Sequence, residues 1–192
     1  MKYINQTWLT LFLFLPLLLG CVPMFAVGTA AGTGAYISED RRTSGMFIED
    51  EGIEFKGARR IYQQFGDKVH INITSYNRMV LLTGEAPTET TKADIEKLIM
   101  GVDNVRKIFN EIAVAGNTSL ASRSNDTLIT SKVKTRFLTE RKFQINHVKI
   151  VTENEVVYLL GVVTRQEADN AAQIASATSG VKKVVKVFEY LN

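Results

Sequence analysis

The chain is short of several things that chemistry usually needs. One cysteine in 192 residues gives no disulfide framework. Histidine is nearly as scarce: His70 and His147, at unmatched positions near strand starts, read as surface or edge residues rather than ligands. No Ser/His/Asp spacing, phosphate-cradling loop or metal-ligand cluster is present, so neither an enzyme nor a cofactor is expected. The excess of base over acid, 23 against 20, is too even to indicate nucleic acid as a partner.

The longest absence is of charge, since nothing from Tyr3 to Ser38 carries any. A membrane span needs about 20 apolar residues, but the finer pattern points elsewhere. Lys2 gives a positive start, Trp8 to Leu19 an apolar core interrupted by Pro16, and Gly20 a small residue before Cys21: the layout of a secretory signal peptide. Beyond Cys21 the chain turns to Gly28, Gly32, Gly34 and their Ala and Thr neighbours, poor material for a lipid-facing helix. Leu18-Leu19-Gly20-Cys21 resembles the bacterial lipobox. The resemblance implies cleavage before Cys21, a thioether-linked diacylglycerol and a third acyl chain on the new amino group. Each buried methylene contributes roughly 0.8 kcal/mol, so three chains anchor firmly. The other reading of Cys21 is a small hydrophobe in an apolar helix. Acylation would leave no thiol for a disulfide or a thiolate metal site. Val22 rather than Asp after the cysteine resembles the outer-membrane sorting choice, with the body facing the periplasm. Loss of residues 1–20 leaves 22 basic and 20 acidic side chains.

Small and polar residues then run to Ser44 without helical or alternating period, as in a flexible tether. From there to the C-terminus the chain is an internal repeat. Asp50, an N-cap candidate, opens the apolar stripe Ile53, Gly57, Ile61, Phe65; 76 positions on, Asp126 opens Ile129, Val133, Phe137. "VHINITSYNRMVLLTGEA" (69–86) and "HVKIVTENEVVYLLGVV" (147–163) read as hairpins. A helix comes after each, Thr88 to Gly101 behind Pro87, and Thr164 to Thr178 with a capping box of Thr164 and Glu167. "VRKIFNEIAV" (105–114) and "VKKVVKVFEYL" (181–191) close the units as strands. The expected class is α+β, with two αββαβ domains, each a three-stranded mixed sheet covered on one face by two helices.

This order and the "V-x-L-x-G" strand ends at Gly84 and Gly161 resemble the BON domain, the bacterial osmotically inducible and nodulation domain. With the lipobox, the tether and "D-R-R-T-S-G" (40–45), the chain resembles the two-BON-domain outer-membrane lipoproteins. The expected division is leader 1–20, acylated N-terminus and tether 21–45, first domain 46–115, linker 116–123 and second domain 124–192. The resemblance implies a non-catalytic protein that supports outer-membrane integrity, binds anionic phospholipid through its second domain and gathers at division sites. Two departures stand out: Asn77-Arg78 and Asn154-Glu155 replace the usual glycine-bearing hairpin turn, and Leu128 stands where relatives carry an aromatic residue.

Charge is divided unevenly between the halves. Residues 47–115 hold 9 basic and 11 acidic side chains, net −2, and residues 124–192 hold 10 and 7, net +3. If 125–142 is a helix, Leu128, Lys132 and Thr135 or Arg136 line an exposed stripe beside the core positions. From the residues alone these cations solvate a helix face; with the resemblance they become contacts to phosphatidylglycerol or cardiolipin. A protein-interaction module is the other class, in which "VVKVFEYLN" recruits a strand from an envelope partner, unless Lys182, Lys183 and Lys186 guard that edge.

Overall fold

The structure is a computed structural model and describes residues 40–116 and 120–191, all within the compact unit Ala35–Asn192. The expected leader, Cys21 and the tether up to residue 39 lie outside the described residues. The first half runs α1 (Ser44–Phe65), β1 (His70–Tyr76), β2 (Met79–Ala86), α2 (Glu89–Met100), β3 (Lys107–Asn110) and β4 (Ala113–Val114). The second runs α3 (Leu120–Glu140), β5 (Lys149–Glu153), β6 (Val156–Val163), α4 (Arg165–Ser176) and β7 (Lys183–Tyr190). Each hairpin is antiparallel, and the closing strand lies parallel to the second hairpin strand: β3 and β4 along β2, β7 along β6. The expected α+β class and mixed sheets are therefore present. The first closing strand is interrupted at Glu111 and Ile112, where Ile112 turns into the core at 1 % exposure.

Both long helices start six residues before the expected cap. Thr43 caps α1 by accepting from the Met46 amide, and α3 begins at Leu120, inside the segment read as linker. Asp50 and Asp126 are therefore mid-helix, buried, and aimed at the hairpin turns. Asp50 accepts from the Asn77 and Arg78 amides (2.8 Å each) and the Ser75 hydroxyl (2.7 Å). Asp126 accepts from the Asn154 and Glu155 amides at 2.9 and 2.8 Å. This resolves the missing turn glycines. Asn77-Arg78 and Asn154-Glu155 take φ of 51°, 62°, 49° and 65°, the left-handed pair of a type I′ turn. Such a conformation costs about 1–2 kcal/mol in a residue with a Cβ, and charge-assisted hydrogen bonds of about 1.5–3 kcal/mol each offset it.

The glycines at 84 and 161 also differ from expectation. They lie inside β2 and β6 rather than at strand exits, and an added Cβ would sit 2.0 and 2.2 Å from the carbonyl oxygens of His70 and His147. The facing backbone, the start of β1 for Gly84 and the 3-10 turn Ile145–His147 ahead of β5 for Gly161, therefore admits only glycine. His70 and His147 thus occupy equivalent places in the repeat, not unmatched ones, and His147 is buried.

Ile53, Ile61, Val80, Leu82, Ile95 and Ile99 form the core between helices and sheet in the first domain; Ile129, Val133, Phe137, Val157, Leu159 and Ile174 do so in the second. A third cluster joins the halves. Tyr76 and Leu81 of one sheet pack with Tyr158, Leu160 and Val187 of the other, so the faces turned away from the helices bury each other. A one-face-covered sheet is thus an incomplete description, and β2 is buried at all eight positions.

Polar contacts rim this interface: Asn72 to Glu153 (2.8 Å), Lys149 to Glu54 (2.9 Å), Asn77 to Glu189 (2.7 Å) and Arg106 to Glu189. The segment before α1 adds a double fastening. Arg42 bonds Asp50 of the first domain at 2.9 Å and lies 3.9 Å from the Tyr76 ring centre. Arg41 bonds Glu167 at 2.7 and 2.9 Å and the Val162 carbonyl at 3.0 Å, both in the second domain.

Candidate functional site

Of the expected contact residues on α3, two face solvent freely. Leu128 is 60 % exposed, and Lys132 is exposed with no ion pair among the described residues. Thr135 is exposed, but its hydroxyl donates to the Ser131 carbonyl at 2.9 Å. Arg136 is committed within the domain. Its guanidinium donates to the Ile174 carbonyl (3.1 Å), the Thr178 hydroxyl (3.3 Å) and Glu140 (2.6 Å), tying α3 to the end of α4. Its charge is largely answered there, so it positions the helix.

The structure adds residues the helical pattern missed. Leu138, 55 % exposed, gives α3 a second outward leucine, and Lys134 is exposed close by. Past the helix a cleft of about 660 Å³ opens, within the range of small-ligand clefts. Arg141, Lys142 and Arg41 line it together with Leu138, Phe143 and Ile145. Arg141 takes a left-handed φ of 47°, which turns the chain out of α3 at this point. Phe143 packs edge-on against core Phe137 at 4.9 Å and fixes the cleft wall. Arg141 and Lys142 were visible in the sequence as cations, but Arg41 lies 96 residues away from Phe137 and only folding brings it here.

Glu167 forms part of the wall and holds it together. Burial alone would raise its carboxyl, but the Arg41 guanidinium, the Thr164 amide, His147 and the Thr164 hydroxyl outweigh this and bring it to about 2. It also completes the expected capping box of α4. A carboxyl with a depressed folded pKa stabilises fully above its ordinary value of 4.5 and loses that contribution as pH falls toward 2. Glu167→Gln should therefore lower the melting temperature at pH 7 and flatten its decline between pH 4.5 and 2. Thermal melts across that range test this; parallel curves for both proteins would show that the carboxylate is not the linked group.

The C-terminal edge is partly self-answered: Lys182 pairs with Glu155, and Lys186 lies 2.7 Å from Asp169. Among the described residues no group of His, Cys, Asp or Glu could hold a metal ion, and no helix is long and apolar enough to cross a membrane.

The chain is similar in sequence to known proteins. The BON domain family model matches twice, over residues 57–116 and 125–192. Outer membrane lipoprotein DolP of Haemophilus influenzae is 39 % identical over 175 residues, 90 % of each chain. The 21 kDa hemolysin of Actinobacillus pleuropneumoniae is 34 % identical over 79 % of each chain. Osmotically-inducible protein Y of Escherichia coli is 28 % identical over 81 % of this chain and 80 % of its own.

Proposed function

Because the chain belongs to the BON domain family and is of the DolP type, we propose that it is an outer-membrane lipoprotein, held by acylated Cys21, whose second domain binds anionic phospholipid through α3. The body faces the periplasm. The observation that carries the reading is the outward surface of α3: Leu128 and Leu138 stand among Lys132, Lys134 and Arg141, whose charges have no ion-pair partner among the described residues. Two leucines reach the acyl boundary while the cations meet phosphate, each basic side chain near an anionic surface contributing about 1 kcal/mol. The cleft behind Arg141 gives a headgroup space with apolar walls. Arg136 acts by fixing α3, and Thr135 offers its hydroxyl only by releasing Ser131. The function is binding, not catalysis. Support of outer-membrane integrity at division sites belongs to the same reading through the family likeness.

Flotation with vesicles tests it, using a soluble chain of residues 39–192 so that Arg41 and Arg42 are kept. The protein should float with vesicles containing phosphatidylglycerol or cardiolipin and stay behind with phosphatidylcholine alone. Lys132→Glu changes the local charge by two, about 2 kcal/mol, so binding should weaken about 30-fold and fall with salt. Absence of flotation at low salt by the folded protein would reject the mechanism. Binding unchanged in Lys132→Glu and insensitive to salt would move attention to the β7 edge.

A further inference from the structure

Helix α1 carries a second outward surface that the lipid reading does not use. Ile48, Phe55 and Tyr62 are 70, 69 and 68 % exposed. They recur every seven residues, which places them in one line along the helix, about 21 Å from end to end. Glu51 and Arg59 flank that line, both exposed and without an ion-pair or hydrogen-bond partner among the described residues. Eight positions apart, about 12 Å, they do not reach each other. Gly52 is unexplained by the described residues: it lies mid-helix, where glycine costs about 0.5–1 kcal/mol, and none of them stands within 4 Å of an added Cβ. Gly57, one turn on, differs, because its Cβ would meet Ile73 at 2.8 Å.

These features share one centre. Ile48 and Tyr62, Glu51 and Arg59, and Gly52 and Ala58 are each equidistant from Phe55. We infer that α1 pairs antiparallel with α1 of a second copy of this chain, about a two-fold axis through Phe55. Each Phe55 then meets its equivalent, Ile48 lies against Tyr62, Glu51 against Arg59, and Gly52 against Ala58. The small pair lets the axes approach to the 8–10 Å of packed helices. A parallel pair would set Glu51 on Glu51 and Arg59 on Arg59, and would align the two helix dipoles unfavourably. An isologous contact of this kind closes as a dimer and does not propagate. One helix on one helix falls below the roughly 800 Å² per partner of a stable soluble complex. Confinement of both copies to one membrane raises their effective concentration enough for such a contact to matter.

Cysteine cross-linking of the full acylated chain in phosphatidylcholine vesicles tests the pairing without engaging the anionic-lipid surface. Phe55→Cys should oxidise to a disulfide-linked dimer. Ile48→Cys alone should not, because its copies lie about 21 Å apart, whereas Ile48→Cys mixed with Tyr62→Cys should give the heterodimer. The parent chain gives the background. In the Phe55→Cys protein, adding Glu51→Arg or Arg59→Glu should cut the yield at least five-fold, and both together should restore it. All five positions are exposed, so circular dichroism should show folding unchanged. Absence of a Phe55→Cys dimer, self-linking of Ile48→Cys as strong as that of Phe55→Cys, or no restoration by the double reversal would each overturn the pairing. A solvatochromic probe on Phe55→Cys that shifts to the blue without cross-linking would do so too, assigning the face to the bilayer.

Discussion

Asp50→Ala is expected to destabilise the protein by about 3–5 kcal/mol, the range for removing one partner from a buried charged network. Four groups lose their acceptor: the Asn77 and Arg78 amides, the Ser75 hydroxyl and the Arg42 guanidinium. Arg42 then stays against Tyr76 with only Asp40 to answer its charge. At the equivalent place in the second domain, Asp126 receives two amides and, among the described residues, no cation, so Asp126→Ala should cost less, about 2–3 kcal/mol. Urea denaturation of both variants measures the difference. Adding Glu155→Gly to Asp126→Ala should recover about 1 kcal/mol, because glycine takes the left-handed conformation without a carboxylate to hold it. A loss below about 1 kcal/mol in Asp50→Ala would show that strand pairing alone holds the turn.

Leu160→Asp and Leu159→Asp should fail in different ways, although the residues are neighbours and both are 0 % exposed. Leu159 faces the helices of its own domain, and a carboxylate there should abolish that domain's folding. Leu160 faces the other sheet, between Tyr76, Leu81 and Val187. A charge there, costing several kcal/mol to bury, should part the sheets and leave each helix-side core intact. Calorimetry should then show two transitions in place of one. The tyrosines supply a second reading. Burial, followed by the nearby Asp40 charge, raises Tyr76 to about 12; burial, followed by the Glu111 and Glu153 charges, raises Tyr158 to about 12. Once the sheets part, both should ionise near 10, visible as a larger absorbance change in that range. One cooperative transition at lower temperature, with the tyrosines still near 12, would mean that the interface had absorbed the charge without opening.

The repeat, the order of elements and the core stripes were legible along the chain, because these rest on local periodicity. Ile129, Val133 and Phe137 recur at four-residue spacing, so any helix through them buries one face. The capping box of Thr164 and Glu167 was legible for the same reason, its partners being three residues apart. A further signal was present but pointed beyond the expected layout: "VVYLLGVV" is apolar at odd and even positions alike, the mark of a strand covered on both faces. The candidate surface was legible in part. Leu128 and Lys132 come from helical spacing, but the use of Arg136 depends on the end of α4, 38 residues away. Tertiary structure alone decided that Asp50 and Asp126 hold turns rather than cap helices, that Arg41 reaches Glu167 across 126 residues, and that the two sheets close on each other. Periodicity states which face of an element is apolar. Which partner covers that face, and which buried carboxylate meets which amide, is settled by the packing of elements distant in the chain, where desolvation leaves each polar group a single low-energy pairing.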